Sequence, residues 1–116
     1  MELYKFSKEV GKEIGAFGSN FVMSRISQGE GNFHIGCMYF DQNDFVGRHD
    51  AVTPQLFVVV EGEGWVSGAN GEKLPIRAGE AALWHKGESH EAGSETNMIA
   101  IVIESENLNA SIMGRL

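Results

Sequence analysis

The sequence predicts an all-β fold, a sandwich or small barrel of short antiparallel strands. Three observations predict it. Fifteen glycines against only two prolines place turn residues at close intervals along the chain. The apolar runs between those turns are short and rich in β-branched and aromatic residues, as in Leu56 to Val60. Helical periodicity never extends beyond about two turns, because the glycines at 11, 15 and 18 break the one charged stretch that starts like a helix. A chain of 116 residues closes one core and is too short for two.

The elements follow in order. Residues 1 to 19 read as an arm: an edge strand at Met1 to Phe6, then a helical turn after Ser7, a candidate N-cap. Phe21 to Ser27 is a strand, and residues 28 to 32 turn by their glycines. Phe33 to Phe40 is a strand apolar on both faces, with Ile35, Cys37 and Tyr39 on one side and His34, Met38 and Phe40 on the other. Such a strand lines a core and also packs on a second sheet or subunit. Asp41 to Asp44 turns. Pro54 interrupts pairing before Gln55 to Glu61, the strongest strand signal in the chain. Gly62-Glu63-Gly64 reads as a reversal. Trp65 to Ser67 and Glu72 to Ile76 flank Asn70-Gly71, a hairpin signal. Ala81 to Trp84, His90 to Ala92 and Met98 to Glu104 are the remaining strands, with the barrel spanning residues 20 to 104. Residues 105 to 116 read as a tail or short helix.

Nine Lys and Arg face 16 Asp and Glu. No basic cluster is available to displace counterions from phosphates, which argues against a nucleic-acid partner. One cysteine, Cys37, excludes an internal disulfide and suits a reducing compartment. No apolar run approaches the roughly 18 residues that span a bilayer, and no basic and apolar leader opens the chain. The expectation is a cytoplasmic protein with no membrane partner.

Two stretches carry the polar chemistry: Gly47 to Gly64, with His49 ahead of the main strand, and Gly79 to His90. Together they resemble the paired motifs of the cupin superfamily, G-x5-H-x-H-x3/4-E-x6-G and G-x5-P-x-G-x2-H-x3-N. His49 matches the first histidine, while Ala51 stands at the second and Gln55 at the glutamate. Gly62 matches the closing glycine and Asn43 replaces the opening one. In the second motif Gly79, Gly87 and His90 match, His85 takes the proline's place and Ser94 the asparagine's. The resemblance implies a double-stranded β-helix, a jelly-roll barrel of two antiparallel sheets that is often a homodimer. In metal-binding members, it implies, the matching histidines and glutamate hold the ion.

Metal sites of this kind need imidazole nitrogens and usually a carboxylate. Gln55 offers only an amide oxygen. Asp50 and Glu91 adjoin His49 and His90, so strand alternation turns them to the opposite face. Ala51 shares the face of His49 and supplies no donor. His85 is the one compensation: a turn over Lys86 to Ser89 places it opposite His90, with Cβ atoms about 4.5–5.5 Å apart. On this reading the metal set is His49, His85 and His90, with Gln55 as a fourth ligand. On the other, His85 is a rim residue, and His49 and His90 hydrogen-bond each other, a water or Gln55. A divalent transition metal (zinc, nickel, manganese or iron) and no metal at all stand as equal expectations. The expected ligand pocket is His49, Gln55, Phe57, His85 and His90.

The remaining candidates read as scaffold. His34 is a structural histidine with its hydrogen bonds satisfied, and Cys37 is a buried thiol. Trp65, Trp84 and Phe57 are core, with at least one of them lining the pocket. Arg48 is a surface or interface cation. The functional expectation is a small-molecule-binding barrel, with or without a weakly held metal. The alternatives are a metal-dependent enzyme of dioxygenase or isomerase type, and a ligand-sensing module acting through a partner protein.

Overall fold

The computed structural model describes residues 1, 3–5, 7–31 and 33–116. Its strands are β1 (Lys12–Ile14), β2 (Phe21–Gly29), β3 (Phe33–Phe40), β4 (Phe45–Asp50), β5 (Gln55–Ser67), β6 (Lys73–Arg77), β7 (Ala81–Trp84), β8 (Ser89–Gly93) and β9 (Met98–Glu104). Every pairing among them is antiparallel. The hydrogen-bonded path runs β1-β2-β3-β9-β5-β8-β4, with β6 and β7 also on β5. Among the described residues no helix is long and apolar enough to cross a membrane.

β5 is the hinge of the design. Its first half lies between β9 and β7 in one sheet, and its second half between β6 and β8 in the other. The expected reversal at Gly62-Glu63-Gly64 does not occur; the chain runs through as one strand of 13 residues. The glycine serves a different purpose. Gly62 has φ 78°, and a Cβ there would lie 2.2 Å from the carbonyl oxygen of Asn97. Only glycine lets the strand bend between sheets and pass that close to the loop before β9. An irregularity between Val59 and Glu61 adds to the bend.

The Asn70-Gly71 hairpin forms with a wider loop than two residues. Ser67 pairs with Lys73, and the Glu72 N–H donates to Asn70 Oδ1 (2.9 Å), an Asx turn that takes up the intervening residues. β4 was not assigned from the sequence, where it is hidden by Gly47, Arg48 and Asp50. The expected edge strand at Met1 to Phe6 falls partly on Glu2 and Phe6, which lie outside the described residues; residues 3–5 carry no strand. The arm instead supplies a 3-10 turn (Lys8–Val10), β1 paired to β2, and a second 3-10 turn (Ala16–Gly18). The tail holds a 3-10 turn, Ala110–Ile112, capped by Asn109 Oδ1.

The core lies between the sheets. Phe40, Phe57, Val59, Trp84, Met98 and Val102 are buried there. Phe57 pairs with Val102 and Phe40 with Met98, so side chains opposite one another in the ladder share the inner face.

Candidate functional site

The site starts from a bulge in β4. Val46 pairs with Ala92 and His49 with His90, so two residues of β4, Gly47 and Arg48, oppose the single Glu91 of β8. The parity matters. Val46 and Ala92 are buried on the inner face. In a regular strand a residue three positions on would face outward. The extra residue restores the phase and brings His49 inward beside His90. The same shift turns Arg48 outward. There Nη1 donates to the Gly68 carbonyl (2.9 Å) and Ser89 Oγ (3.1 Å), and Nη2 to Ser67 Oγ (2.6 Å) and Glu91 Oε1 (3.1 Å). Arg48 is thus a clamp that joins β4 to β8 and to the end of β5.

The two imidazoles are 4.4 Å apart, centroid to centroid, and tilted by 54°. Their protons follow from their partners. His49 Nδ1 lies 2.7 Å from the Gly47 carbonyl, and His90 Nδ1 lies 3.1 Å from the Glu88 carbonyl. A carbonyl only accepts, so each Nδ1 carries a hydrogen, and in the neutral ring Nε2 keeps its lone pair. Nε2 of His90 is buried and has no hydrogen-bond partner. An unsatisfied buried acceptor costs about 1–3 kcal/mol. Burial also lowers the His90 pKa from its ordinary value, against the opposing pull of the Glu88 carbonyl, and proximity to His49 lowers it further. The ring is therefore neutral at physiological pH.

Aromatic rings enclose the pair. Trp84 stacks on His90 from within (4.5 Å, 30°), and Phe57 backs Trp84 at 5.7 Å. On the other side Phe17 stacks on His49 at 4.3 Å with the ring planes 2° apart. Phe17 belongs to the turn that straps the arm across β4. The Gly47 N–H donates to Ser19 Oγ (2.9 Å), the Phe45 N–H to Asn20 Oδ1 (2.6 Å), and the Asn20 N–H to the Phe45 carbonyl (3.0 Å). Phe17 has left-handed backbone (φ 58°), which costs an ordinary residue about 1–2 kcal/mol, while its stack returns about 0.5–1.5 kcal/mol. The strap sits close because position 47 is glycine: a Cβ there would lie 1.6 Å from the Phe17 carbonyl oxygen.

No family model and no curated protein matches the chain. Solved structures do. An RmlC-like cupin from Shewanella frigidimarina aligns over 97% of both chains with TM-score 0.74 and 20% identity. A cupin 2 conserved barrel domain protein from Salinispora arenicola aligns over 96% of this chain and 91% of its own (TM-score 0.75, 13% identity). A predicted oxalate decarboxylase from Thermotoga maritima aligns over 86% and 96% (TM-score 0.75, 20% identity). The chain has the cupin fold. At these identities the likeness is one of architecture, and the chemistry rests on this chain's own residues.

Within the cupin barrel the expected residues separate. Gln55 is buried and pairs with both Trp84 and Glu104, so it shares the inner face with the ring that stacks on His90. Phe57 is fully buried behind Trp84 as core. His85 is not brought to the pair. It is exposed, and it opens a β-turn in which the Glu88 N–H donates to its carbonyl (3.0 Å) and its own N–H to Glu88 Oε1 (3.0 Å). The hairpin expected to set His85 against His90 does not form: β7 pairs with β5, and β8 with β4 and β5. Asp50 is exposed and Glu91 binds Arg48 on the outer face, so neither carboxylate reaches the imidazoles.

The donors brought together at the pair are therefore two imidazole nitrogens, with the Gln55 amide elsewhere on the same inner face. Among the described residues no group of three or more His, Cys, Asp or Glu is placed to hold a metal. Two neutral nitrogens with no carboxylate do not offset a dication's charge, and the residues present do not fit a resident transition metal. Ala51, buried where the motif's second histidine stands, gives its N–H to the Glu88 carbonyl (2.9 Å) and accepts from the Gly87 N–H (2.7 Å). It ties the two motif loops together by backbone alone.

The open volume also differs from expectation. A cavity of about 790 Å³ opens beside Phe33, His34, Thr53, Lys86 and Glu104, and one of about 640 Å³ beside Trp65, Lys73, Leu74 and Arg77. Neither is lined by His49, Gln55, Phe57 or His90, because Trp84, Phe57 and Phe17 fill the space around the pair. His34 is not the satisfied histidine expected: its Nε2 is buried without a partner. Trp65 lies outside the barrel interior with Lys73 Nζ 4.0 Å from its ring centre. Cys37 is buried, and burial raises its thiol pKa, as for an inert structural cysteine. The sequence reading missed Phe17. The one local signal was an aromatic wedged between Ala16 and Gly18, two residues of no bulk, in the arm.

Proposed function

We propose that the chain is a small-molecule-binding cupin barrel whose recognition centre is the His49–His90 pair, acting without a resident metal. The observation that carries this is the fixed tautomer. Both Nδ1–H groups are spent on backbone carbonyls, so in the neutral rings Nε2 is the atom left to accept, and that of His90 is buried and unpartnered. A ligand O–H or N–H satisfies that acceptor and removes its desolvation cost. The dioxygenase or isomerase reading requires a metal for which the donor set is incomplete, so it has the weaker support. A fragment screen by protein-observed NMR tests the proposal. Fragments that shift the His49 and His90 ring signals are expected, and their binding is lost in His49→Ala and His90→Gln. Hits indifferent to both substitutions overturn it. Zinc, nickel, manganese or iron leaving the melting temperature unchanged is the matching expectation for the metal.

We also propose that the working unit is a homodimer. On the outer face of the larger sheet Ile35, Ile103, Leu56 and Leu83 form one paired row, and Cys37, Ile101, Val58 and Ala81 the next. Neither row carries a charge, in a chain of net charge −7. An antiparallel sheet apolar on both faces is ordinarily covered on both. A second copy suits this face because two neutral surfaces meet there without opposing the like charges elsewhere.

A further inference from the structure

Phe17 combines features that packing alone does not require. The residue is 65% exposed, yet its ring lies parallel to His49 at 4.3 Å. Its backbone sits in a left-handed conformation that phenylalanine disfavours. The contact is made from an arm held to β4 by a handful of hydrogen bonds and admitted by the absence of a Cβ at Gly47. Gain and strain are nearly matched, so the ring is held weakly. It also occupies a specific place. The inner side of the histidine pair is closed by Trp84, stacked on His90. His49 is the half-buried member of the pair, and the face that Phe17 covers lies on the solvent side.

We propose that Phe17 is a displaceable lid and the specificity-determining residue of this site: its ring fills the stacking position on His49 that a flat, ring-containing ligand takes when it binds. This rests on the reading of the His49–His90 pair as the binding centre. The ligand class follows from what the position offers. A parallel slot against an imidazole rewards a planar aromatic or heteroaromatic ring. The free Nε2 atoms reward an N–H or O–H on that ring's edge. A puckered aliphatic ring of equal size gains the hydrogen bond but not the stack.

The test uses Phe17→Gly, because glycine adopts φ 58° freely and so keeps the strap's backbone while removing the ring. Phe17→Asn, also tolerant of left-handed backbone, serves as a second variant should the first lower the melting temperature. Diethyl pyrocarbonate acylates accessible neutral imidazoles, and peptide mass spectrometry reads each histidine separately. In the wild-type protein His49 is expected to react more slowly than the exposed His85. In Phe17→Gly the His49 rate rises several-fold while His85 is unchanged. Phenol then protects His49 of the variant, and cyclohexanol, matched in size and hydroxyl but not flat, does not. Equal His49 rates in wild type and variant overturn the proposal, as does protection by cyclohexanol equal to that by phenol, or by neither. Failure of the underlying reading looks different. Fragments that need both histidines but bind wild type and Phe17→Gly equally would overturn the lid and leave the pair's role standing.

Discussion

Gly47→Ala probes the junction between arm, bulge and site. The new Cβ would lie 1.6 Å from the Phe17 carbonyl oxygen and 2.7 Å from its carbonyl carbon. Both are backbone atoms, so no side-chain rotation relieves the clash, and the strap must lift. Lifting breaks the Gly47–Ser19 bond and the two bonds between Asn20 and Phe45, each worth about 1 kcal/mol. It also forfeits the Phe17–His49 stack, worth about 1 kcal/mol. Relief of the left-handed backbone at Phe17 returns about 1.5 kcal/mol. The expected net loss is about 2.5 kcal/mol, within the ~1–3 kcal/mol usual for overpacking. At about 4 °C per kcal/mol for a domain of this size, the melting temperature falls by about 10 °C. Urea denaturation gives the free energy directly. Gly114→Ala is the control, since a Cβ there meets nothing within 4 Å. A Gly47→Ala loss under about 0.5 kcal/mol, ordinary for a surface change, would refute the claim that the strap is seated on this residue.

Three further outcomes are expected. The His90 pKa is lowered in the fold, so the unfolded chain takes up that proton first as pH falls; the contribution of this residue is complete above about pH 6.5, the ordinary histidine value, and is lost progressively below it until the folded-state pKa is passed. Urea midpoints measured across that range should fall less steeply in His90→Gln than in wild type, and identical slopes would count against burial of the imidazole. Arg48→Lys should lose about 1–2 kcal/mol in the same assay, because an ammonium cannot reproduce the fork that reaches Gly68, Ser67, Ser89 and Glu91 together; full stability would mean that the clamp is screened by solvent. Ile101→Lys, within the two uncharged outer rows and away from the histidines, should convert a dimer to a folded monomer in light scattering, and a wild-type monomer at working concentration would end the dimer proposal.

Strand content was legible in the sequence because it is written locally. Runs such as Leu56 to Val60 and Met98 to Glu104 have only one good conformation, and glycine-rich turns bound them. The resemblance matched His49 and His90 to the motif histidines, but their inward direction depends on the β4 bulge. What misled was glycine. Gly62 read as a reversal, yet its freedom serves a bend and a close approach to Asn97, which no local pattern distinguishes from a turn. Of the two readings of His85, the one that set it opposite His90 lacks its hairpin for a related reason. A turn of the right length fits a hairpin, but here the flanking strands leave for different neighbours, and pairing is a choice among distant segments.

By itself, then, the sequence determined an all-β content, a net acidic charge, a lone cysteine, and Ala51 and Gln55 at the positions where the resembled motif has its second histidine and carboxylate, since composition and residue identity decide those directly. Tertiary structure decided the rest. The β4 bulge, visible only against β8, sets which way His49 points. The carbonyls of Gly47 and Glu88 choose the imidazole tautomers. Phe17 reaches the site from 32 positions away because Gly47 leaves room for it. The bulge and the Phe17 stack are contacts between segments remote in the chain, which acquire energy only when the barrel has closed, whereas each carbonyl belongs to the residue two before its histidine and depends on the local strand path.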